Sequence, residues 1–221
     1  MMNSYSHYLC LILLLPLLGN AQVIDVDGNE YKTKEIGTQS WMIDNLDVSK
    51  FKNGDIILEA KNIEDWNEAI ESGKPMYCYY DFDKKNGETY GKLYNWFAVK
   101  DKRGLAPEGW HIPSLGEFNI LIKSAGGVDE AGGNLISSSL WENKEEATNE
   151  TGFSALPSGT LYNSGNFEDL GAISYFWTRT IINETRIHYI DIWSDSCFGA
   201  GVDNNDEAWI EEGLSVRCLK D

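Results

Sequence analysis

One short stretch, residues 109–127, constrains the local fold more than any other part of the chain. Ser114 and Glu117 stand in the S-x-x-E spacing of a capping box, in which each side chain bonds the backbone amide of the other residue at a helix N-terminus. Apolar residues then recur at three- and four-residue steps: Leu115, Phe118, Leu121, Ile122 and Ala125. Gly126 and Gly127 suit the left-handed geometry that stops a helix, so the sequence predicts a helix with one buried face that ends before Gly126.

A histidine stands just before this helix, next to the large apolar side chain of Trp110. Histidine can hold a ligand or transfer protons near neutral pH, so His111 is a candidate for chemistry. No cluster of partner residues surrounds it in the sequence, and we therefore expect His111 to be packed and hydrogen-bonded rather than catalytic. Trp110, Phe118 and Leu121 are predicted to belong to the core.

The first 21 residues have the pattern of an export signal. They contain no Asp, Glu, Lys or Arg, their middle is apolar, and the small residues Gly19 and Ala21 precede Gln22. This pattern predicts a signal peptide over residues 1–21 and a single domain over residues 22–221. The apolar run is too short for a comfortable membrane span and no second run follows, so no transmembrane segment is expected in the mature chain.

The charge of the chain excludes one class of partner. The chain has 18 Lys and Arg against 35 Asp and Glu, which gives a formal net charge of −17 at pH 7. Nucleic acid requires a basic surface that neutralises its phosphates, so a nucleic-acid partner is not expected. A strongly acidic chain is instead compatible with bound cations.

Three cysteines follow the predicted signal peptide: Cys78, Cys197 and Cys218. An exported protein favours a disulfide, but three thiols leave one unpaired, and the pairing cannot be deduced from the sequence. All three are therefore disulfide candidates. The chain has no C-x-x-C pair, which argues against a thioredoxin-like redox site or a zinc ribbon.

Other segments predict further helices, strands and turns. Asn62 can cap a helix that Gly73 closes and whose apolar face is Trp66, Ala69 and Ile70. The aromatic run at 76–82 suits a buried strand better than a sugar-stacking platform. Residues 131–134, Ala-Gly-Gly-Asn, predict a turn, and residues 135–141 a short amphipathic piece.

Familiar metal and catalytic motifs are incomplete in this chain. Residues 25–28 and 81–87 approach calcium loops, but glycine is misplaced in both, so neither is an EF-hand. Residues 152–156 approach the G-x-S-x-G nucleophile elbow, but Leu156 replaces the final glycine. A serine hydrolase is not expected.

Segments spread over the chain resemble one family. They include I-G-T-Q-S-W-M-I-D-N-L at 36–46, Y-C-Y-Y-D at 77–81, Y-G-K-L-Y-N-W at 90–96, P-E-G-W-H-I-P-S at 107–114 and G-L-S-V-R-C at 213–218. By these motifs and their order, the chain resembles the Fibrobacter succinogenes major paralogous domain, a family of exported bacterial modules of unassigned activity. The departures are small: Phe118 stands where the family usually has Trp, and Ser158 where Gly is common.

The resemblance implies an α+β, C-type-lectin-like fold, in which two main helices pack on small irregular antiparallel sheets with long loops. Formylglycine-generating enzymes share that fold. The resemblance and the predicted signal peptide together imply a bacterial protein that is secreted, extracellular or held at the outer cell surface after cleavage near Ala21.

The best candidate site is an acidic segment between two tryptophans near the end of the chain. Its candidate ligand-binding residues are Trp193, Asp203, Asn204, Asn205, Asp206, Glu207 and Trp209. Calcium prefers oxygen ligands, which makes Asp203, Asp206 and Glu207 calcium candidates, and tryptophan rings can stack on sugars. In lectin-like folds the loop before the final strands commonly holds the ligand. Against this hypothesis, polar runs are more often solvated turns, and the E-P-N and Q-P-D tripeptides of calcium-dependent lectins are missing.

Three functions remain open from the sequence. The expected one is a secreted, non-catalytic recognition module that binds a glycan or a protein ligand, with calcium as its one candidate cofactor. The second is an oxidase of the formylglycine-generating type, which needs a reactive cysteine pair or a copper thiolate site, and only Cys197 and Cys218 form a plausible late pair. The third is a structural or scaffolding surface protein without a small ligand.

Overall fold

The structure is a computed structural model that describes residues 23–143, 145–195, 199–204 and 206–221. The predicted signal peptide, Cys197 and Asn205 lie outside the described residues. Within them the chain is mixed α+β, with five α-helices and several small sheets, none of which closes into a barrel. The helices are α1 (Ile63–Ser72), α2 (Lys84–Tyr90), α3 (Trp96–Val99), α4 (Leu115–Ser124) and α5 (Val128–Leu135).

The strands are short in the first half of the chain and longer in the second. The first group comprises β1 (Val23–Ile24), β2 (Glu30–Tyr31), β3 (Thr33–Ile36), β4 (Gln39–Met42), β5 (Leu58–Glu59), β6 (Met76–Cys78), β7 (Leu93–Tyr94) and β8 (Trp110–His111). The second group comprises β9 (Ser158–Leu161), β10 (Phe167–Leu170), β11 (Ile173–Ile181), β12 (Arg186–Asp195), β13 (Gly199–Asp203), β14 (Glu207–Trp209) and β15 (Leu219–Lys220).

These strands form four sheets. The largest has the order β10-β9-β11-β12-β13, with β14 also paired to β12. A second sheet, β3-β4-β15-β8, ties the end of the chain to its beginning, and β5-β6-β7 and β1-β2 complete the set. Most pairs are antiparallel, as predicted, but β9 with β11 and β5 with β6 are parallel. Single bridges from the segment 213–215 to Tyr94, Leu161 and Phe176 link the β5-β6-β7 sheet to the largest one.

The two ten-residue helices confirm the predictions from local capping. The Asn62 side chain accepts the amide of Asp65 at 2.8 Å, and Gly73 ends α1 in the left-handed conformation with φ 64°. At α4 the Ser114 hydroxyl accepts the Glu117 amide at 3.3 Å, and the Glu117 carboxylate accepts the Ser114 amide at 2.7 Å. An N-cap and a glycine stop each depend on residues only a few positions apart. The sequence alone therefore predicts them.

Helix α5 corrects the prediction of a turn over residues 131–134. The helix runs through both glycines and buries Ala131 and Leu135. A Cβ added to Gly133 would meet the backbone carbonyl of Glu146, so this glycine permits a close approach of another chain segment. The glycine pair does not distinguish a turn from a helix with a close contact, because glycine is favoured in both.

The buried apolar side chains form three clusters, one of which packs α4 and α5 against the largest sheet. Trp41 is fully buried and packs on Phe118 and Phe153 at ring-centroid distances of 5.0 and 5.6 Å. Trp110, Phe118 and Leu121 are buried, as predicted. In the described part of the chain, no helix has the length and apolar character needed to cross a membrane.

Candidate ligand-binding face

The acidic segment predicted as a site connects two strands on the same side of β12. Strand β14 pairs with the beginning of β12, from Arg186 to His188, and β13 pairs with its end, from Asp191 to Asp195. Asp203 ends β13, and Asp206 precedes β14, where its backbone carbonyl accepts the Tyr189 amide at 3.4 Å. The chain leaves β14 toward Glu212 and the segment that bridges two sheets.

The two tryptophans of the predicted site do not form one binding platform. Trp209 pairs with Arg186, seven residues from Trp193 along the same strand, which separates them by roughly 23 Å. Trp193 lies across the backbone of Gly201, where any Cβ would overlap its ring. The face of Trp209 is covered by the Arg186 guanidinium, whose Cζ is 3.5 Å from the ring centroid. We therefore discard the paired-tryptophan arrangement as a sugar-stacking site.

The predicted calcium ligands face different partners. Asp206 accepts a hydrogen bond from the Tyr189 hydroxyl at 3.3 Å, and Glu207 forms an ion pair with Arg186 at 3.8 Å. The Asp203 amide donates to Asp191 at 3.1 Å, and Asn204 donates to Asn119 at 2.7 Å. Across the described residues, no group of three or more His, Cys, Asp or Glu side chains is placed to hold a metal ion.

Beside this segment the sheet assembles three tyrosines and four carboxyl groups that the sequence analysis did not bring together. We call this set the tyrosine–carboxylate face: Tyr162, Tyr175, Tyr189, Asp169, Asp191, Asp206 and Glu212. Its members come from the end of β9, from β10, β11 and β12, and from the loops around β14. The sequence signal for it is weak because its tyrosines are far apart in the chain, two on separate strands and one just after a third strand.

The tyrosines form a continuous row across the sheet. The ring centroids of Tyr162 and Tyr175 are 6.3 Å apart, and those of Tyr175 and Tyr189 are 5.6 Å apart. The Tyr175 hydroxyl donates to Asp169 at 2.7 Å and lies 3.3 Å from the hydroxyl of Tyr162. Tyr175, the middle ring, is buried with 4% of its surface exposed, and Tyr162 and Tyr189 on either side of it are partly exposed. Burial raises the pKa of all three phenols, which therefore remain neutral hydrogen-bonding groups.

Asp191 is a buried carboxyl directly next to this row. It pairs with Tyr175 across the β11–β12 ladder, so the two side chains lie on the same face of the sheet. Only 9% of Asp191 is exposed. Burial, and then the charges of Asp206 and Asp203, raise the pKa of Asp191 to about 7.

Glu212 is the second buried carboxyl, with 6% of its surface exposed. Burial raises its pKa to about 7, and the charge of Glu211 acts in the same direction, while the Trp209 amide and Arg186 oppose the shift. Its charge also contributes to the raised pKa values of Tyr162 and Tyr189. The backbone amide of Trp209 donates a hydrogen bond to Glu212, whereas the buried Oε2 of the neighbouring Glu211 has no partner among the described residues.

Asp169 has a strained backbone at this face. Its φ of 64° is left-handed, a conformation that aspartate adopts more readily than most residues but still at a cost. The carboxylate that this conformation presents accepts the hydroxyl of Tyr175. Strained residues cluster at sites whose geometry is held for function, so Asp169 marks this face as a candidate site.

Comparison with known families gives the chain its identity. The model of the family described as the Fibrobacter succinogenes major domain matches residues 35–220. The chain belongs to this family. No curated protein and no solved structure matches it.

The family motifs of this Fibrobacter succinogenes major domain lie mostly in its core. Trp41, Tyr94 and Arg217 are fully buried members of the motif segments. The partly exposed Tyr162 and Tyr189 stand outside those segments. Membership therefore identifies the family, and its motifs do not include these two partly exposed tyrosines.

The histidine of the P-E-G-W-H-I-P-S motif is hydrogen-bonded, as expected, but it is not isolated. Its Nδ1 lies 2.7 Å from Asp221, and its Nε2 lies 3.0 Å from Glu117. The second oxygen of Glu117 accepts the Ser114 amide and hydroxyl, both at 2.7 Å. His111 thus joins β8, the N-terminus of α4 and Asp221, which confirms the expectation that it is hydrogen-bonded.

The cysteines of this Fibrobacter succinogenes major domain correct the disulfide prediction. Cys78 and Cys218 are both free and buried, so neither forms a disulfide. Burial raises the pKa of both thiols, which disfavours the reactive thiolate. Cys197, the third candidate, lies outside the described residues.

Proposed function

We propose that this protein is a secreted, non-catalytic recognition module of lectin-like fold that binds a glycan at the tyrosine–carboxylate face. The observation that carries the proposal is the row of three tyrosines, in which the central Tyr175 donates to Asp169 and Tyr189, at one end, donates to Asp206. Binding requires no calcium in this proposal, because the carboxylates of the face already act as hydrogen-bond acceptors.

The chemistry of the face suits a sugar. Pyranose rings present apolar C–H faces and hydroxyl edges, so they need aromatic surface and polar groups in the same place. Tyr162 and Tyr189 offer partly exposed rings, and Asp206 is an exposed carboxylate. A sugar hydroxyl both donates and accepts hydrogen bonds. It can therefore donate to the carboxylates of the face and exchange hydrogen bonds with the phenol hydroxyls.

Two observations favour binding over catalysis. The described cysteines are buried, free and of raised pKa, so they do not favour the oxidase alternative. Both ring nitrogens of His111 are engaged by carboxylates, which leaves neither to act on a substrate.

Secretion is supported by the charge-free, apolar residues 1–21 and the small residues before Gln22. Expression in an export-competent bacterium, followed by intact-mass measurement and N-terminal sequencing, tests this part. We expect a mature chain that begins at Gln22 in the periplasm or medium. An uncleaved chain in the cytoplasm would refute it.

A glycan array, probed with and without calcium, tests the binding proposal. We expect the same glycans to bind in both conditions. An Asp206→Ala variant should lose about tenfold or more of the affinity because a charged hydrogen bond is removed. The matched control is Asp129→Ala, which removes an exposed aspartate on α5. Absence of any glycan signal would favour the scaffolding alternative, and equal binding by both variants would move the site away from this face.

A further inference from the structure

We infer that the tyrosine row and its two carboxylates offer a ligand hydrogen-bond acceptors only, and that they therefore select a neutral glycan whose free hydroxyl groups donate to them. Uronic acids, sulfated sugars and O-methylated sugars are disfavoured. This inference rests on the proposed function and names the chemical class of its ligand. A phenol hydroxyl has one proton to donate, so the partners that it already has decide what it offers to a ligand.

The proton of the middle phenol is directed to Asp169. The Tyr175 hydroxyl lies 2.7 Å from the Asp169 carboxylate and 3.3 Å from the hydroxyl of Tyr162. An ionised carboxylate accepts hydrogen bonds and donates none, and a hydrogen bond to a charged acceptor is stronger than one between neutral groups. Tyr175 therefore donates to Asp169, and its oxygen accepts from Tyr162.

The protons of the two outer phenols also lie along the row. Tyr162 donates to the Tyr175 oxygen, because Tyr175 has no second proton to offer in return. On the other side of the row, the Tyr189 hydroxyl donates to Asp206 at 3.3 Å. Burial raises the pKa of all three phenols, so each keeps its single proton. The partly exposed hydroxyls of Tyr162 and Tyr189 therefore present oxygen lone pairs to a ligand.

The two carboxylates add further acceptors to the same row. Asp206 is exposed and Asp169 is partly exposed. A carboxylate has about four lone-pair sites, and one phenol proton fills only one of them. Arg186, on the same strand as Tyr189, is a possible source of donors, but its guanidinium stacks on Trp209 and pairs with a glutamate at 3.8 Å. The side chains of the row therefore need donors from the ligand.

A surface of acceptors distinguishes sugars by the protons that they carry. A free hydroxyl supplies the proton that each lone pair lacks. A carboxylate, a sulfate or a methyl ether offers lone pairs alone, so acceptors of the ligand and of the protein face each other without a hydrogen bond. The two anions are also repelled by Asp169 and Asp206. The rings of Tyr162 and Tyr189 contact the apolar face of a pyranose in every case, so the hydroxyl edge decides the preference.

An array of glucose, galactose and mannose oligosaccharides tests the inference, with each sugar in its neutral form, as the C6-carboxylate and as the O-methyl ether. We expect binding of neutral forms, and binding at least about tenfold weaker for the modified forms of the same sugar, because a hydrogen bond to a charged or phenolic acceptor is lost. Calorimetric titration of the bound neutral oligosaccharide and its two modified forms gives the ratio of affinities.

Phenylalanine variants assign the preference to the phenol oxygens. Tyr162→Phe and Tyr189→Phe keep the rings and remove one acceptor each, so each should reduce the preference for the neutral sugar over its methyl ether severalfold. A preference caused by the bulk of the methyl groups would not change in these variants. The matched control is Tyr90→Phe, because Tyr90 is partly exposed at the end of α2 and lines a different groove. It should leave the preference unchanged.

The other outcomes separate this inference from the proposed function. Equal or tighter binding of the carboxylate or O-methylated forms would overturn the acceptor-only inference and leave the glycan proposal standing. A preference for the neutral form that survives in both Tyr162→Phe and Tyr189→Phe would overturn the assignment to these phenols. Absence of binding by every form of every sugar on the array would count against the proposed function itself, and the inference would fall with it.

Discussion

The two buried carboxyls make stability depend on pH in a direction opposite to that of most proteins. In the unfolded chain Asp191 and Glu212 titrate near 3.8 and 4.5, and in the folded protein the pKa of each is raised to about 7. Between these values the folded state binds more protons than the unfolded state, so stability falls as the pH rises. Well above 7 both are ionised in either state, and the loss is complete.

The size of the effect follows from the same pKa values. Moving from about pH 5 to about pH 8 removes about 2.5 kcal/mol of stability for each carboxyl, if the two titrate independently. Asp206 and Asp203 beside Asp191, and Glu211 and Arg186 beside Glu212, are the charged groups that modulate this amount. Carboxylates of lowered pKa, such as Asp27 and Asp101, act in the other direction, but they titrate at lower pH and add little slope in this window.

Urea unfolding monitored by tryptophan fluorescence measures the effect. We expect the wild-type midpoint to be lower at pH 8 than at pH 5, and the double variant Asp191→Asn, Glu212→Gln to abolish most of the difference. The control Asp129→Asn should keep the wild-type dependence. A midpoint that rises from pH 5 to pH 8, or a double variant with the wild-type slope, would refute the assignment of raised pKa values to these carboxyls.

Three further predictions concern the scaffold, each measured by urea or thermal unfolding. Ser114→Ala removes the N-cap of α4 and should cost about 1 kcal/mol, whereas Ser72→Ala, near the end of α1, should cost less; equal effects would contradict the capping assignment. Gly159→Ala should lower the free energy of unfolding by more than about 2 kcal/mol, because φ of Gly159 is 61° and an added Cβ would lie 2.7 Å from the Tyr80 ring. An unchanged stability would contradict this, since it would mean that the neighbouring strands move apart without cost. Arg217→Met should lower the free energy of unfolding by about 3 kcal/mol, because the buried carbonyls of Phe153 and Ser154 lose their hydrogen-bond donor. A more stable variant would contradict this, since the cost of burying the guanidinium would then exceed the gain from its hydrogen bonds.

The parts of the fold that sequence predicts well are those decided over a few residues. The caps at Asn62 and Ser114 and the glycine that ends α1 are local hydrogen-bonding devices, and the structure contains them where they were expected. The family motifs were equally legible because they encode the packed core. Helix α5 was not predicted because Gly133 permits a close contact with the backbone of Glu146, which no local pattern records.

The candidate site was harder to predict because its geometry is built from long-range pairings. Tyr175 meets Asp191 only through the β11–β12 register, and Glu212 reaches the same region through the segment that bridges two sheets. The acidic run near Trp193 includes Asp206, which belongs to the proposed face. It also suggested a tryptophan pair and a calcium site that strand spacing and side-chain partners do not support.

Carboxyl footprinting of the protein with and without its bound glycan tests the central claim most directly. Labelling of exposed carboxylates with a carbodiimide and an amine nucleophile, read out by mass spectrometry, compares each position in the two states. If the tyrosine–carboxylate face holds the ligand, saturating glycan will protect Asp206 and Asp169 and leave Asp129 and Glu71 labelled as before. Protection confined to another surface, such as the groove lined by Asp44 and Glu88, with Asp206 unchanged, would contradict the account.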